Sequence, residues 1–563
     1  MKRSLEPIAD RSIARLAILI LIIVIGIGLS YINFYGPSQL GDQYEYVMFG
    51  WQVHSGNAAD LMYDGVLGQK LLLNYGVGFF FDLFGVNIFA STLFSEFCFI
   101  ATLVIIYEIG KSLKNNTAGL ISAFVFAVMP ISQIYSAQVN DGIPLAFIAA
   151  LSVLMAVRAT RSKTANSAFA FMTLGSFFGT IGFLITAESL IILLPIFAIV
   201  LYSLISKGSI EKGRHGLGLK RKGVMYALPF FIGIVVGLAA IMLWGHMLGG
   251  SYLSIIKTDG NWYSASIWRT TSYGEFNILN IYRGVLFPFY GSGIKSGATL
   301  FSYVLPSGSN SLPQPYENLF YTWFAYAAVA FAIAAVLKRN RAIILPLAWF
   351  VITLAYLSAG TMSLSHYTLI PPFARYTFIF TPALALLIGI SIAGFYENND
   401  AASKARSRKK AGREKRKPYG MKKIAMTVLF VAVLAFLTFQ SFYASTLVKN
   451  SARADIEPFI RAAQYINSVS PTYVLQSNYF IPMQIYTGYK YHYIDISNST
   501  PACSEVNSSM LVVLKTNQSF QEKCSLAEVA GPFTVPKING SNLFEFDGIW
   551  TGFADGNVSV YKK

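Results

Sequence analysis

The 563 residues are 54% hydrophobic and 15% aromatic but only 13% charged, about half the charge of a soluble domain, which excludes a soluble globular protein and implies a polytopic membrane protein. The net charge of +17 raises nucleic acid as a partner. Most of the Lys and Arg, however, sit in short links between apolar runs, where they report topology, and no nucleic-acid partner is expected.

The first apolar run, Ile13–Ile32, is long enough to cross roughly 30 Å of hydrocarbon. Lys2, Arg3, Arg11 and Arg15 precede it, so the positive-inside rule holds the N-terminus in the cytoplasm and brings Asp42 out on the far face. No small-residue cleavage site follows, and the run reads as a retained anchor rather than a signal peptide. An external loop, 34–85, follows, in which Gly41–Tyr75 alternates aromatic, apolar and polar side chains and is expected to form interfacial helices broken at Gly56 and Gly65. Further spans are read at Val86–Ile109, Ala118–Tyr135, Ile143–Val157, Ala168–Ile185, Leu190–Leu204 and Val224–Trp244. A second external segment, 247–318, is rich in Tyr, Ser, Gly and Pro and carries Arg269, Arg283 and Lys295. Loops of that length are functional or disordered, and the apolar piece Ile281–Tyr290 favours an ordered cap.

Spans resume at Leu319–Leu337, Ile343–Leu357 and Tyr376–Phe395. A basic cytoplasmic loop (397–423) follows, read as irregular chain drawn to anionic head groups, and a last span runs Ile424–Tyr443. The total of about eleven is odd and places the C-terminus outside. Residues 1–445 therefore form a membrane module and 446–563 a small extracytoplasmic α/β domain. Its helix is expected at Glu457–Val469 and its strands at Tyr473–Gln476, Met510–Leu514 and Val558–Tyr561. Asn-X-Ser/Thr sites at Asn498, Asn507, Asn517, Asn539 and Asn557 fit an exterior domain, whereas Asn115 falls on the cytoplasmic side and should be unused. An exterior location also permits a disulfide between Cys503 and Cys524, while Cys98 lies in a span and reads as packing. Dense acceptor sites fit a multi-pass protein of an archaeal plasma membrane or a eukaryotic endoplasmic reticulum, and the short connecting loops favour the archaeal plasma membrane.

Candidate chemistry sits at the external span ends. Gly41-Asp42-Gln43-Tyr44-Glu45-Tyr46, followed by Trp51 and Gly56, places a carboxylate and aromatics at the membrane surface; a solvated loop with belt aromatics is the alternative. Ser136-Ala137-Gln138-Val139-Asn140-Asp141-Gly142-Ile143-Pro144 puts Asp141 at the head of a span, where it either joins a site or serves as an N-cap. Arg375-Tyr376, then Pro382, opens a late span. Glu188 lies at an external turn, and His366 in the link before Arg375.

In their order and common sidedness these three elements resemble the GT-C superfamily of membrane glycosyltransferases, in particular the protein-mannosyltransferase and aminoarabinose-transferase type. The chain departs from that pattern in carrying Gln43 where the family has a second acid, and in lacking a Lys near Glu188. The resemblance implies an enzyme that moves a sugar from a polyprenyl-phosphate donor in the bilayer to an extracytoplasmic protein, lipid or glycan. Asp42 would be the general base, inverting the anomeric centre, with Asp141 as its partner. Arg375 would clamp the leaving phosphate. Tyr46, Glu188, His366, Arg269 and Arg283 would line the substrate path. No cofactor is indicated, and a divalent ion between Asp42 and Asp141 stays open. An oligosaccharide transferase should carry a Trp-Trp-Asp-type motif in its C-terminal domain, and none is present. The rival outside enzymes is a transporter or flippase for a lipid-linked or anionic solute, which would bring internal repeats and broken midplane helices with buried charge; no clear repeat is present, and the acids read as lying at span ends rather than mid-span.

Overall fold

In the computed structural model, residues 6–32, 34, 42–62, 65–210, 218–257, 323–359, 374–409, 419–476, 480–495, 510–515, 525–534, 545–546, 549–550 and 557–562 are described. Arg269, Arg283, Lys295, His366, Cys503, Cys524 and four of the five C-terminal glycosylation candidates lie outside them.

The chain begins with α1 (Glu6–Tyr31) and then lays down α2 (Asp42–His54), a 3-10 turn at Ala58–Met62, α3 (Gly65–Gly68) and α4 (Leu71–Phe84). Gly56 and Gly65 adopt φ of 83° and 72°, the left-handed region that glycine enters without steric cost, and so break the segment where the sequence reading places its turns. Next come α5 (Ile88–Leu113), α6 (Asn116–Val128), α7 (Pro130–Ser136), α8 (Gly142–Arg161) and α9 (Ala165–Ile181). The expected single span Ala118–Tyr135 is two helices bent by 64° at Met129–Pro130, because proline lacks the N–H that would continue the ladder and restricts the residue before it. Asn115 caps α6, its Oδ1 accepting from the Ala118 N–H at 2.8 Å. After 3-10 turns at Gly182–Leu184 and Ala187–Ile192 follow α10 (Leu193–Ile210), α11 (Gly218–Met247), α12 (Phe324–Leu337) and α13 (Ile344–Ala359). A 3-10 turn at Ala374–Ile379 then leads into α14 (Thr381–Lys409) and α15 (Tyr419–Val469).

Five helical segments among the described residues are long and apolar enough to cross a bilayer: Ile13–Tyr31, Ile88–Leu113, Gly142–Arg161, Ala165–Leu184 and Tyr226–Met247. Shorter apolar helices accompany them at Ala187–Leu201, Phe324–Leu337, Arg341–Leu357, Thr381–Phe395 and Thr427–Tyr443. The molecule is an integral membrane protein. Lipid gives helices no hydrophobic reason to associate, so they meet through small residues. A Cβ on Gly110 of α5 would stand 2.8 Å from the Gly119 Cα of α6, a distance that only two glycines allow.

Two features differ from the sequence reading. The basic run is not irregular throughout, since α14 carries it in helical form as far as Lys409. And one acid does lie within a span: Glu96, in α5, is 5% exposed. Lys449 of α15 is its nearby counter-charge and donates to the Leu29 and Ser30 carbonyls at 2.9 and 2.6 Å.

Helix α15 crosses the 445/446 boundary without a break. Its 51 residues reach about 75 Å at 1.5 Å per residue, far beyond the bilayer core. Its far end packs Phe459, Ala462, Ala463 and Ile466 on a five-stranded sheet, making the core of the C-terminal domain with Val474, Leu511 and Val560. The strands are β1 (Tyr473–Gln476), β2 (His492–Asp495), β3 (Met510–Lys515), β4 (Ala527–Thr534) and β7 (Asn557–Lys562), in the order β2-β1-β3-β7-β4. β1 runs parallel to β2 and β3, and β7 antiparallel to β3 and β4. The short pair β5 (Glu545–Phe546) and β6 (Ile549–Trp550) stands apart, and α16 (Phe480–Tyr486) connects β1 to β2.

Candidate active site

Three separate stretches bring charge to one point at the base of the C-terminal domain. Asp42 is the first residue of α2, Asp141 precedes α8, and Arg375 lies in the 3-10 turn before α14. The Arg375 Nη1 donates to Asp42 Oδ2 in a close ion pair, and its Nε lies 3.9 Å from Asp141 Oδ1. On the far side of Asp141, Lys70 donates from Nζ to Oδ2 at 2.5 Å and to the Tyr46 hydroxyl at 2.8 Å. Two acids and two bases thus alternate along one line: Asp42, Arg375, Asp141, Lys70.

Local structure explains how each arrives. Asp141 stands at the N-cap position of α8 yet makes no side-chain cap bond. Asn140 does that work, its Oδ1 accepting from the N–H groups of Gly142 and Ile143 at 2.8 and 3.4 Å, so the Asp141 carboxylate is left for the cations. Gly142 lets the Arg375 turn come close, because a Cβ there would stand 2.5 Å from the Phe378 ring. Trp349 fixes that turn from behind, donating from Nε1 to the Ile379 carbonyl at 2.8 Å. Gln43 joins α2 to the loop before Asp141, its Nε2 donating to Gln138 Oε1 at 2.9 Å. The position that carries a second acid in the resembling family is here a buried neutral strut.

Exposure separates the two acids. The Asp42 side chain is 23% exposed and the Asp141 side chain 2%. Burial pushes the Asp141 carboxyl up, but Lys70 and Arg375 together outweigh it and hold the group below its ordinary value. Tyr46, expected in the substrate path, is fully buried, and burial followed by the charges of Asp141 and Asp42 drives its hydroxyl well above the ordinary value. It stays a neutral phenol that orients Lys70. Glu188 is buried in the turn before α10, takes a hydrogen bond from the Thr186 hydroxyl and feels the charges of Lys70 and Asp141. Of the sequence candidates, Asp42, Asp141, Arg375, Tyr46 and Glu188 therefore converge. Lys70 went unrecognised, although it is the one Lys or Arg between Arg15 and Lys111. Its charge is felt by Glu188.

Both carboxylates face cations, and among the described residues no group of three His, Cys, Asp or Glu side chains could hold a metal ion.

The sequence matches the family model of dolichyl-phosphate-mannose-protein mannosyltransferases over residues 70–243. No curated protein matches it in sequence. Among solved structures, ArnT from Cupriavidus metallidurans in the apo state is 11% identical, with 97% of this chain and 98% of that one aligned at a TM-score of 0.54. The same protein bound to undecaprenyl phosphate aligns at 12% identity, 96% and 97% coverage and a TM-score of 0.52. The apo oligosaccharyltransferase of Archaeoglobus fulgidus aligns at 11% identity over 89% of this chain and 69% of its own, with a TM-score of 0.50. At such identities the likeness is one of fold.

Proposed function

We propose that this chain, whose residues 70–243 match the dolichyl-phosphate-mannose-protein mannosyltransferase model, is a GT-C-type membrane glycosyltransferase that moves a sugar from a polyprenyl-phosphate donor to an acceptor on the side of the membrane that bears Asp42. The alternating row Asp42, Arg375, Asp141, Lys70 carries this reading. Two fixed cations beside a bilayer suit a phosphate that gains charge as it leaves, and a partly exposed carboxylate next to them suits a base. The ArnT structure bound to undecaprenyl phosphate supports a lipid-phosphate carrier for the shared fold.

Arg375 is engaged by Asp42 before any donor arrives. A donor phosphate competes for the guanidinium, which can hold it bidentately. Asp42 is thereby released as a free carboxylate only when a leaving group is in place. The acceptor hydroxyl then attacks the anomeric carbon from the face opposite the phosphate. As the new C–O bond forms, the hydroxyl proton passes to Asp42, the bond to the phosphate oxygen breaks and its electron pair leaves with the polyprenyl phosphate. Attack from the opposite face inverts the anomeric centre. Asp141 remains ionised and buried throughout, holding Lys70 and Arg375 on the phosphate side. Glu188 and Tyr46 hold the wall around Lys70, and Arg269, Arg283 and His366 are assigned to the approach by their external segments. On sidedness, the N-terminus is cytoplasmic and the C-terminal domain external.

Purified protein given radiolabelled polyprenyl-phosphate sugars and a native membrane extract should transfer label, and Asp42→Asn should lose transfer while retaining expression and thermal stability. Equal transfer by that variant removes the base assignment. The buried Glu96 within α5 and the break between α6 and α7 favour the transporter reading. Substrate-driven flux into liposomes without any sugar transfer would replace the present proposal with it.

A further inference from the structure

Where the membrane module meets the C-terminal domain there is an open cleft of about 610 Å³, lined by Phe34, the turn from Val86 to Phe89, one face of α15 and the end of α16. That volume falls within the range of small-molecule sites. None of the charged row lines it. We propose that this cleft holds one bilayer phospholipid with a zwitterionic head group, bracing the C-terminal domain against the membrane surface. The proposal stands independently of the transfer reaction.

Three observations carry it. First, the cleft lies at the membrane–water boundary. Tyr31 ends the first span, and its ring packs on Phe34 and Phe89 with centroids 5.4 and 5.7 Å apart, the aromatic signature of that level. Phe84 and Phe89, on either side of the α4–α5 turn, are 57% and 50% exposed, so the apolar wall opens towards lipid rather than into a closed core. Second, the opposite wall carries both signs of charge, Glu457 on α15 and Lys490 beyond α16, and Gln464 of α15 lines it as well. Glu457 also accepts from Arg461 at 3.2 Å, yet its side chain stays 36% exposed. An ammonium beside Glu457 and a phosphate beside Lys490 match a zwitterion, whereas an anionic head group would meet the glutamate. Third, the cleft backs onto Ile485 and Tyr486 of α16, which grip α2: the Tyr486 and Tyr44 hydroxyls lie 3.0 Å apart, and Ile485 is buried with Tyr44, Tyr46 and Val47. A lipid here would press on the element that holds the Asp42 helix.

The test uses full-length protein in nanodiscs doped with a phosphatidylcholine that carries a photoreactive diazirine on its acyl chain near the glycerol. After irradiation, labelled peptides are mapped by mass spectrometry. Peptides covering 86–89 and 457–467 should be labelled several-fold more than those of the lipid-facing helix α11, whose Val235 and Leu243 are 64% and 53% exposed and serve as the internal reference. Ile460→Trp, which fills the cleft, should bring cleft labelling down to the α11 level and leave α11 unchanged. Cleft labelling no higher than on α11, or undiminished by Ile460→Trp, overturns the proposal. Should Ile460→Trp alter labelling everywhere, the exposed change Lys490→Glu decides: selective loss at the cleft supports the site, and unchanged labelling overturns it. Because no sugar is transferred in this experiment, its failure leaves the proposed enzyme activity standing, and failure of transfer leaves the cleft standing.

Discussion

Asp42 and Asp141 touch the same guanidinium, yet their surroundings assign them different chemistry. Asp141 is sealed between Lys70 and Arg375, and a proton taken up there would remove the carboxylate charge from Lys70 and leave Arg375 to Asp42. Because its pKa falls on folding, its contribution to stability is fully present above the unfolded carboxyl's value of about 3.9 and is lost only as the pH falls through its lower folded value. The stability difference between wild type and Asp141→Asn, followed by thermal unfolding, should thus stay level from pH 8 to about pH 5 and narrow only below about pH 4. Breaking a buried pair by removing one partner costs about 3–5 kcal/mol, so Asp141→Asn should lower the melting temperature markedly, whereas Asp42→Asn, on a partly exposed acid, should shift it less. Lys70→Met should also destabilise. The double change Lys70→Met with Asp141→Asn should recover part of that loss without restoring transfer, since the phosphate would still lack its second cation; full additivity in the double variant would argue against the pairing. Asp42 and Asp141 were legible from sequence because acids at span ends stand out in an apolar chain. Lys70 was visible as an isolated base, but its partner is 71 residues away and no local pattern announces the meeting.

At the level of elements, the site depends on how closely a few backbones approach. The N-terminus of α8 and the Arg375 turn meet over Gly142, where a side chain would strike Phe378. Gly142→Ala should therefore push the turn away and lengthen the contact of Arg375 with Asp141. The expected result is a loss of transfer out of proportion to any loss of stability, read as a fall in turnover beside a small change in melting temperature. The same logic applies at Gly50 of α2, where a Cβ would lie 2.4 Å from Val77 of α4. A different element problem is solved by Lys449. The last carbonyls of α1 have no partner within the helix, and Lys449 donates to two of them. Lys449→Met should cost about 1–3 kcal/mol through those unsatisfied carbonyls and the isolated Glu96 carboxylate. Lys449→Arg, which keeps both donor and charge, should recover most of it in the same unfolding assay. None of this was readable in advance. Helix existence followed from hydropathy, but the α6–α7 bend and the glycine contacts depend on partners that the sequence does not name.

Considered whole, the molecule joins a helical membrane body to a small sheet through one unbroken helix and a second, independent contact. Hydropathy and the positive-inside pattern announce the body, and the stretches at 473–476, 510–514 and 558–561 announce three strands that pair in the sheet. The join was not legible. A boundary at 445 and 446 suggests a linker, whereas α15 runs straight through it and fixes the domain's direction. The second contact is α16, whose Ile485 is 2% exposed within the cluster that seats the Asp42 helix, while Tyr489, just beyond it, stacks on Trp51 at 4.6 Å. Such a double attachment predicts that the domain does more than hang from the membrane. Ile485→Ala should open a cavity beneath α2 at a cost of about 2–5 kcal/mol, without altering any charged group. If the contact sets the position of Asp42, the variant should bind a polyprenyl phosphate nearly as wild type does, because Lys70, Arg375 and Asp141 lie outside α2 and Asp141 still holds both cations, yet transfer sugar several-fold more slowly. Binding measured by displacement of a fluorescent polyprenyl phosphate, alongside single-turnover transfer, separates the two effects. Equal loss of both would mean that α16 supports the whole site, and loss of neither would mean that α2 keeps its place through α4 alone.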